Sequence, residues 1–345
     1  MRGSAAALAV VGAVIWGLIG PGMTAAPAAP ACTISFTGDP TGGGSTAWGT
    51  AANWSPQRLP GANDDVCIPP GKTVVHSTGT DTVLSIKSQG DLQLTGGSLT
   101  LTRTSDPSPI TKLEMSGGTL AGAARVEIGL SMAWSGGTMT GTGTTAVIAG
   151  ATITQSAGVT IQSGRVLEVA GTFDNTADAI VFGGAAPLIH VLAGGVLKKS
   201  GGATSSRIDP PLQNEGTVQA TSGTLQLDGG SPSGTGSFGG AAGTVAFTGS
   251  TFNLSDGAKF LGSVSLSGAT VQVATNNTLT LTGSNSMSSG TLSGTGTVSI
   301  PSGTLAWSGG LMTAAGKTAL AAGATITQSG TQVLIQNGRL LEIAL

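Results

Sequence analysis

The sequence predicts an all-β fold, a parallel β-helix (β-solenoid) with an N-terminal cap, on three observations. The first is internal repetition: the stretch from Met115 to Ala170 returns, slightly edited, from Met287 to Ala344. Met115-Ser-Gly-Gly-Thr-Leu120 becomes Met287-Ser-Ser-Gly-Thr-Leu292, and Ala133-Trp-Ser-Gly-Gly137 becomes Ala306-Trp-Ser-Gly-Gly310. The offset between the copies lengthens slightly from the pair Met115/Met287 to the pair Arg165/Arg339, as expected for strands joined by tolerant corners.

The second observation is a small strand unit, two apolar residues flanking one polar residue, recurring every seven or eight positions. Leu92/Leu94 precede Leu99/Leu101, Val218/Ala220 precede Leu225/Leu227, and Val298/Ile300 precede Leu305/Trp307. Period-two alternation puts both apolar members on one side and the intervening Thr, Ser or Gln on the other. The third is what lies between the units: Thr-Gly-Gly-Ser, Thr-Ser-Gly-Thr and similar runs, which supply positive-φ residues and short hydroxyls for corners. Three units make one coil, the separation of Leu99 from Leu120 and of Val271 from Leu292. Consecutive hairpins in a sandwich would prefer longer strands and Asn-Gly or Asp-Gly turns, which are not common here.

Composition agrees. Gly is 58 of 345 residues, charged residues are 9%, Tyr is absent, and the 39% apolar content means that a core is buried.

Taken in order, residues 1–31 read as a secretory signal: Met1-Arg2, an apolar run too short to span a bilayer, then Ala29-Pro30-Ala31. Residues 32–75 hold Trp48 and Trp54 together with Pro56, Pro60, Pro69 and Pro70 and are expected to cap the first coil, since an open solenoid end exposes apolar side chains and strand edges. Cys32 and Cys67 are the only cysteines, and in an oxidising compartment they most simply form one disulfide. Lipidation of Cys32 is the alternative, but no lipobox Leu precedes it.

Residues 76–170 and 217–345 are read as solenoid coils, and 171–216 as a polar interruption between them. The final Leu341-Glu-Ile-Ala-Leu345 stops where the first copy continues into Gly171, so the chain is expected to be truncated, with the last coil open to self-association.

The opening Trp48-Gly-Thr-Ala-Ala-Asn53-Trp54-Ser-Pro-Gln-Arg-Leu59-Pro60-Gly-Ala-Asn-Asp64-Asp65-Val66-Cys67-Ile68 resembles the N-terminal segment of large secreted bacterial repeat proteins rich in glycine and threonine. Stretches such as Trp134-Ser-Gly-Gly-Thr-Met139 and Asn214-Glu-Gly-Thr-Val218 resemble their body. The resemblance implies a β-helical, adhesin-like surface protein and no known catalytic residues.

Sites are few. Gly234-Thr-Gly236-Ser-Phe-Gly239 fits a dinucleotide fingerprint, but a corner and a strand follow it instead of a helix. His76 and His190 are the only histidines, no cluster has metal-ligand spacing and no nucleophile elbow is present, so no cofactor is expected. If the chain is an enzyme, Asp174, Asp178, His190, Arg207 and Asp209 in the polar segment are the catalytic candidates, Asp as base and Arg as stabiliser of developing charge. The plainer account is that they solvate a bulging loop. Asn63, Asp64 and Asp65 are a calcium candidate, although a turn entering a strand explains them equally well. Trp134 and Trp307, at equivalent repeat positions, are expected to point inward.

Formal charge is −2, or −3 once Arg2 leaves with the signal, which offers no basic stripe for nucleic acid. No second long apolar run follows, so no membrane span is expected. The leading expectation is a secreted structural or adhesive solenoid without catalytic activity, displaying Thr, Ser and Gln to cell-surface polymers, polysaccharide or copies of itself. The alternatives are an extracellular polysaccharide lyase or hydrolase, and an ice- or carbohydrate-binding solenoid suggested by Thr152-Ile-Thr154, Thr278-Leu-Thr280 and Thr325-Ile-Thr327.

Overall fold

The structure is a computed structural model, which describes residues 31–38 and 45–344 apart from the side chain of Thr331. The expected signal, save Ala31, and Leu345 lie outside the described residues. From the cap onward the chain winds into a stack of parallel strands, a β-solenoid of about 13 coils, with no α-helix among the described residues.

Each coil has three faces, A, B and C in chain order. On face B, Val74 lies beside Leu92, Leu92 beside Leu113, and the stack continues through Met132, Ile153, Phe173, Leu197 and Val218. Face A stacks Ile128, Val147, Val169 and Val191. Face C stacks Leu99, Leu120, Met139 and Ile161, and further on Ile208, Leu227, Phe247, Leu266, Met287 and Trp307. The predicted partners Leu99/Leu120 and Val271/Leu292 are neighbours in adjacent coils. Both members of each doublet point inward and are buried, Leu92, Leu94, Leu99 and Leu101 completely. Each such side chain contributes about 1.5–3 kcal/mol by leaving water.

Coils differ in length because corners absorb the difference. On face B the chain takes a longer path from Phe173 to Leu197 than from Val74 to Leu92, yet each pair is stacked in register. Several strands are longer than the doublets predict: Ser108–Gly122, Arg125–Met139 and Thr278–Ser293 each run around a corner. Gly122 shows what such a corner requires, with φ +105° and a position where a Cβ would lie 2.0 Å from the Leu101 carbonyl oxygen. Its repeat counterpart Gly294 has φ +94° and the same 2.0 Å approach to the Val273 carbonyl.

The internal repeat is rotated by one face. Trp134 stands on face B, where Gln155 is its neighbour, whereas Trp307 stands on face C between Met287 and Gln328. Met139 on face C becomes Met312 on face A, and Val147 on face A becomes Leu320 on face B. From Met132, eight steps up face B reach Ile300, and one face further on lies Leu305, the counterpart of Met132. The same sequence unit therefore serves on all three faces. The three units of a coil are interchangeable building blocks, because each needs only an inward doublet and a glycine corner.

The cap is tied by the disulfide Cys32–Cys67, with Cα atoms 5.7 Å apart. Strand Ile34–Phe36 pairs antiparallel with Trp54–Ser55 and parallel with Asp65–Ile68, which already belongs to the stack. Trp54 meets Phe36 edge-on at 5.1 Å and Trp48 at 5.0 Å, and donates its indole N–H to the Trp48 carbonyl at 2.8 Å. Both tryptophans are buried over the first coil.

The polar segment 171–216 is not an interruption. Strands Thr172–Asn175, Leu188–Val191, Val196–Lys199 and Ser205–Ile208 continue the three faces in register, with Phe173, Val181, Ile189, Val191 and Leu197 inward. Its charges occupy outward positions, except Lys199, which is fully buried at an inward position and reaches Asp178 at the corner. At the far end, Leu340–Ile343 pairs with Lys317–Leu320. There Ile335 is 42% and Ile343 57% exposed, although their repeat counterparts Ile161 and Val169 are buried.

Candidate functional site

Outward-facing side chains on neighbouring coils meet because strand partners stand about 4.8 Å apart. The five residues singled out as catalytic candidates follow that rule and fall on different faces. Asp174 on face B pairs with Lys198 of the next coil at 3.0 Å and accepts from the Ser200 hydroxyl at 2.6 Å. Asp178 sits at the corner between B and C, 2.7 Å from the Lys199 ammonium. The hydrogen bonds from Lys199 and then Thr204 hold its carboxyl down at about 2. His190 lies on face A, 3.3 Å from Glu215. Arg207, on face C, grips Asp209 through Nε at 2.6 Å and Nη2 at 3.1 Å, with Asp228 at 3.9 Å. The hydrogen bond and charge of Asp209 hold the Arg207 guanidinium above its ordinary value.

Of the five, only Arg207 and Asp209 come together. Neither Asp174 nor Asp178 contacts them, so an acid–base constellation of Asp174 or Asp178 with Arg207 is not assembled.

The calcium candidate dissolves into ion pairs. Asp64 is bound by Arg58 at 2.6 Å, by the Thr33 hydroxyl at 2.8 Å and by the Gly61 amide at 2.7 Å. The Arg58 hydrogen bonds outweigh burial and hold its carboxyl well below the usual range. Asp65 turns instead to Arg103, at 2.7 Å, and to Ser85. Two carboxylates each committed to an arginine do not converge on one centre, and Asn63 is exposed beside them. Among the described residues no group of three or more His, Cys, Asp or Glu could hold a metal ion, and no helix is long and apolar enough to cross a membrane.

Two arginines are buried that the sequence marks only as equivalent positions of the repeat, Arg165 and Arg339. Arg165 donates to Thr145 Oγ1 at 2.7 Å, one coil back, and to the Gly122 carbonyl at 3.3 Å, two coils back. Arg339 repeats this with Thr318 Oγ1 at 3.1 Å and the Gly294 carbonyl at 3.1 Å. Burial pushes both guanidinium groups down to about 10, so each remains a cation at neutral pH. These are staples across three coils, and their duplication was the available signal.

The outer faces carry different chemistry. Face A bears a chain of ion pairs in which Arg125 reaches Glu127 at 3.0 Å and Glu168 at 2.6 Å. Beyond Arg207 and its partners Asp209 and Asp228, face C in the second half carries hydroxyl groups. Ser205, Thr224, Thr244, Ser263, Ser284, Thr304 and Thr325 form one column, each beside its neighbour in the next coil. The Thr244 and Ser263 hydroxyls are 2.9 Å apart. A second column two residues along carries Gln226, Ala246, Ser265, Ser286, Ala306 and Thr327.

The Thr-x-Thr motifs do not form this row by themselves. Thr152/Thr154 and Thr278/Thr280 lie on face B, and only Thr325/Thr327 belongs to face C. Sequence reading missed the columns because their members lie a whole coil apart and alternate irregularly between Ser and Thr.

Comparison with protein-family models, with curated proteins and with solved structures returns no match to this chain.

Proposed function

We propose that the protein is a secreted structural or adhesive solenoid that works through its outer faces and contacts extracellular polymers without transforming them. The observation that carries this reading is the hydroxyl column on face C, continuous over six coils from Thr224 to Thr325, beside a second column of Gln, Ala, Ser and Thr, both free of charge. Such a surface offers many weak, regularly spaced hydrogen-bonding groups and no ionic focus, which suits a long neutral partner better than a small substrate. The basic, apolar and small-residue sequence of 1–31 supports export, and the disulfide suits an oxidising compartment. The enzyme alternative needed Asp174 or Asp178 within reach of Arg207, and the ion pairs each of them makes give it no support.

Purified 32–345 protein incubated with isolated cell-envelope polymers and with acidic polysaccharides tests the proposal. Saturable binding without new reducing ends or unsaturated products is expected. Product release at enzymatic turnover would overturn it.

A further inference from the structure

Phe182 is the one aromatic side chain among the described residues that the fold leaves in water. It is 43% exposed, whereas the other ten described Phe and Trp side chains are at most 5% exposed. An apolar ring held in solvent forgoes burial that every other ring of the chain obtains. Its position is well defined: it stands on face C beside Thr160 of the coil below, and its ring leans over Gly158, where a Cβ would come within 3.2 Å of Cε2. A larger residue at 158 would push the ring aside.

The same column continues into polar groups. Val181 pairs with Ile208 and Ile208 with Leu227, so Asp209 and Asp228 occupy the next two rungs above Phe182. Arg207 bridges them from the adjacent column, gripping Asp209 and approaching Asp228, which also accepts from the Thr248 hydroxyl at 2.7 Å. The carboxylates and the guanidinium thus hold one another in place while their exposed edges remain able to exchange hydrogen bonds. Rungs about 4.8 Å apart match the step of one sugar ring to the next in an extended chain.

From this we infer that Phe182, Arg207, Asp209 and Asp228 form a carbohydrate site that takes consecutive pyranose units of an uncharged linear polysaccharide, one per rung, whose chain continues along the hydroxyl columns of face C. The inference rests on the adhesive reading and names its partner class. The C–H face of one sugar covers the Phe182 ring, and hydroxyls of the units that follow it donate to the carboxylates and accept from Arg207. The occupant is neutral because the Arg207 charge is already matched by Asp209 and Asp228, leaving no free cation for an anionic polymer. A second copy of the chain fits less well: apart from Phe182 the strip presents hydroxyls and mutually paired charges, with no apolar centre for a protein interface.

Affinity electrophoresis of the 32–345 protein through gels holding hydroxyethylcellulose, galactomannan, arabinoxylan or polygalacturonate tests this. Retardation by at least one of the neutral polymers is expected, and it should persist at high salt. Phe182→Ala should weaken it by about tenfold or more, and Phe182→Trp should keep it. Leu261→Ala, a similarly exposed apolar residue on face B, should leave it unchanged. Circular dichroism of Phe182→Ala should match the parent because the ring is outside the core. No retardation by any neutral polymer, equal retardation of Phe182→Ala, or binding confined to polygalacturonate and lost in salt would each overturn the inference. Envelope binding that survives Phe182→Ala would leave the adhesive reading standing and end this one.

Discussion

At the residue scale the least expected feature is the burial of basic side chains, Arg165, Lys199 and Arg339, inside a mostly apolar core. A buried charge is tolerated only when its donors are satisfied, and Arg165 meets this by reaching a threonine one coil back and a glycine carbonyl two coils back. Replacing Arg165 by Ala leaves Thr145 and Gly122 without their partner and opens a void, at a cost of about 3 kcal/mol. Because coils in a stack can open separately, amide exchange is the informative readout. Exchange in Thr144–Val147 and Val166–Val169 is expected to accelerate by roughly a hundredfold or more, whereas Arg125→Ala, whose partners are solvated, should change it little. Uniform acceleration along the whole chain would mean that Arg165 supports global rather than local stability.

At the element scale much was legible in the sequence, and the reasons are specific. Leu99 and Leu120 could be paired from sequence because a period-two doublet and a glycine corner recur at coil length. The character of 171–216 could not, since Asp174, His190 and Lys198 raised its polarity while the inward Phe173, Ile189 and Leu197 kept the strand pattern beneath. Site chemistry was least legible: Arg207 and Asp209 are neighbours in sequence and could be paired, but Phe182 and Asp228 join them only through the stack. Interchangeable units lead to an engineering prediction. Thr224 pairs with Thr244 and Leu225 with Val245, so deleting residues 225–244 removes one whole coil and joins Thr224 to Val245. The shortened protein is expected to keep its β-sheet circular dichroism and a cooperative melt. Deleting 225–234 alone should abolish the melt, because Thr224 would run into Thr235 without the inward Leu225/Leu227 doublet and its corner, leaving an incomplete rung in the stack. If both deletions behaved alike, corner and register would not be what specifies the coil.

For the molecule as a whole, the central claim is a stack in which outward residues climb one face by a constant step. Gln93, Thr154, Gln219 and Thr282 lie in one outward column of face B, at three-coil intervals. Spin labels at Gln93 paired in turn with Thr154, Gln219 and Thr282 measure that column directly by electron–electron dipolar coupling. Three, six and nine steps of the strand spacing predict distances of about 14, 29 and 43 Å, narrow and in linear proportion. Distances that fail to grow with coil number, or broad distributions in which Gln93–Thr282 is no longer than Gln93–Gln219, would contradict the solenoid and with it the continuous faces on which the functional reading depends.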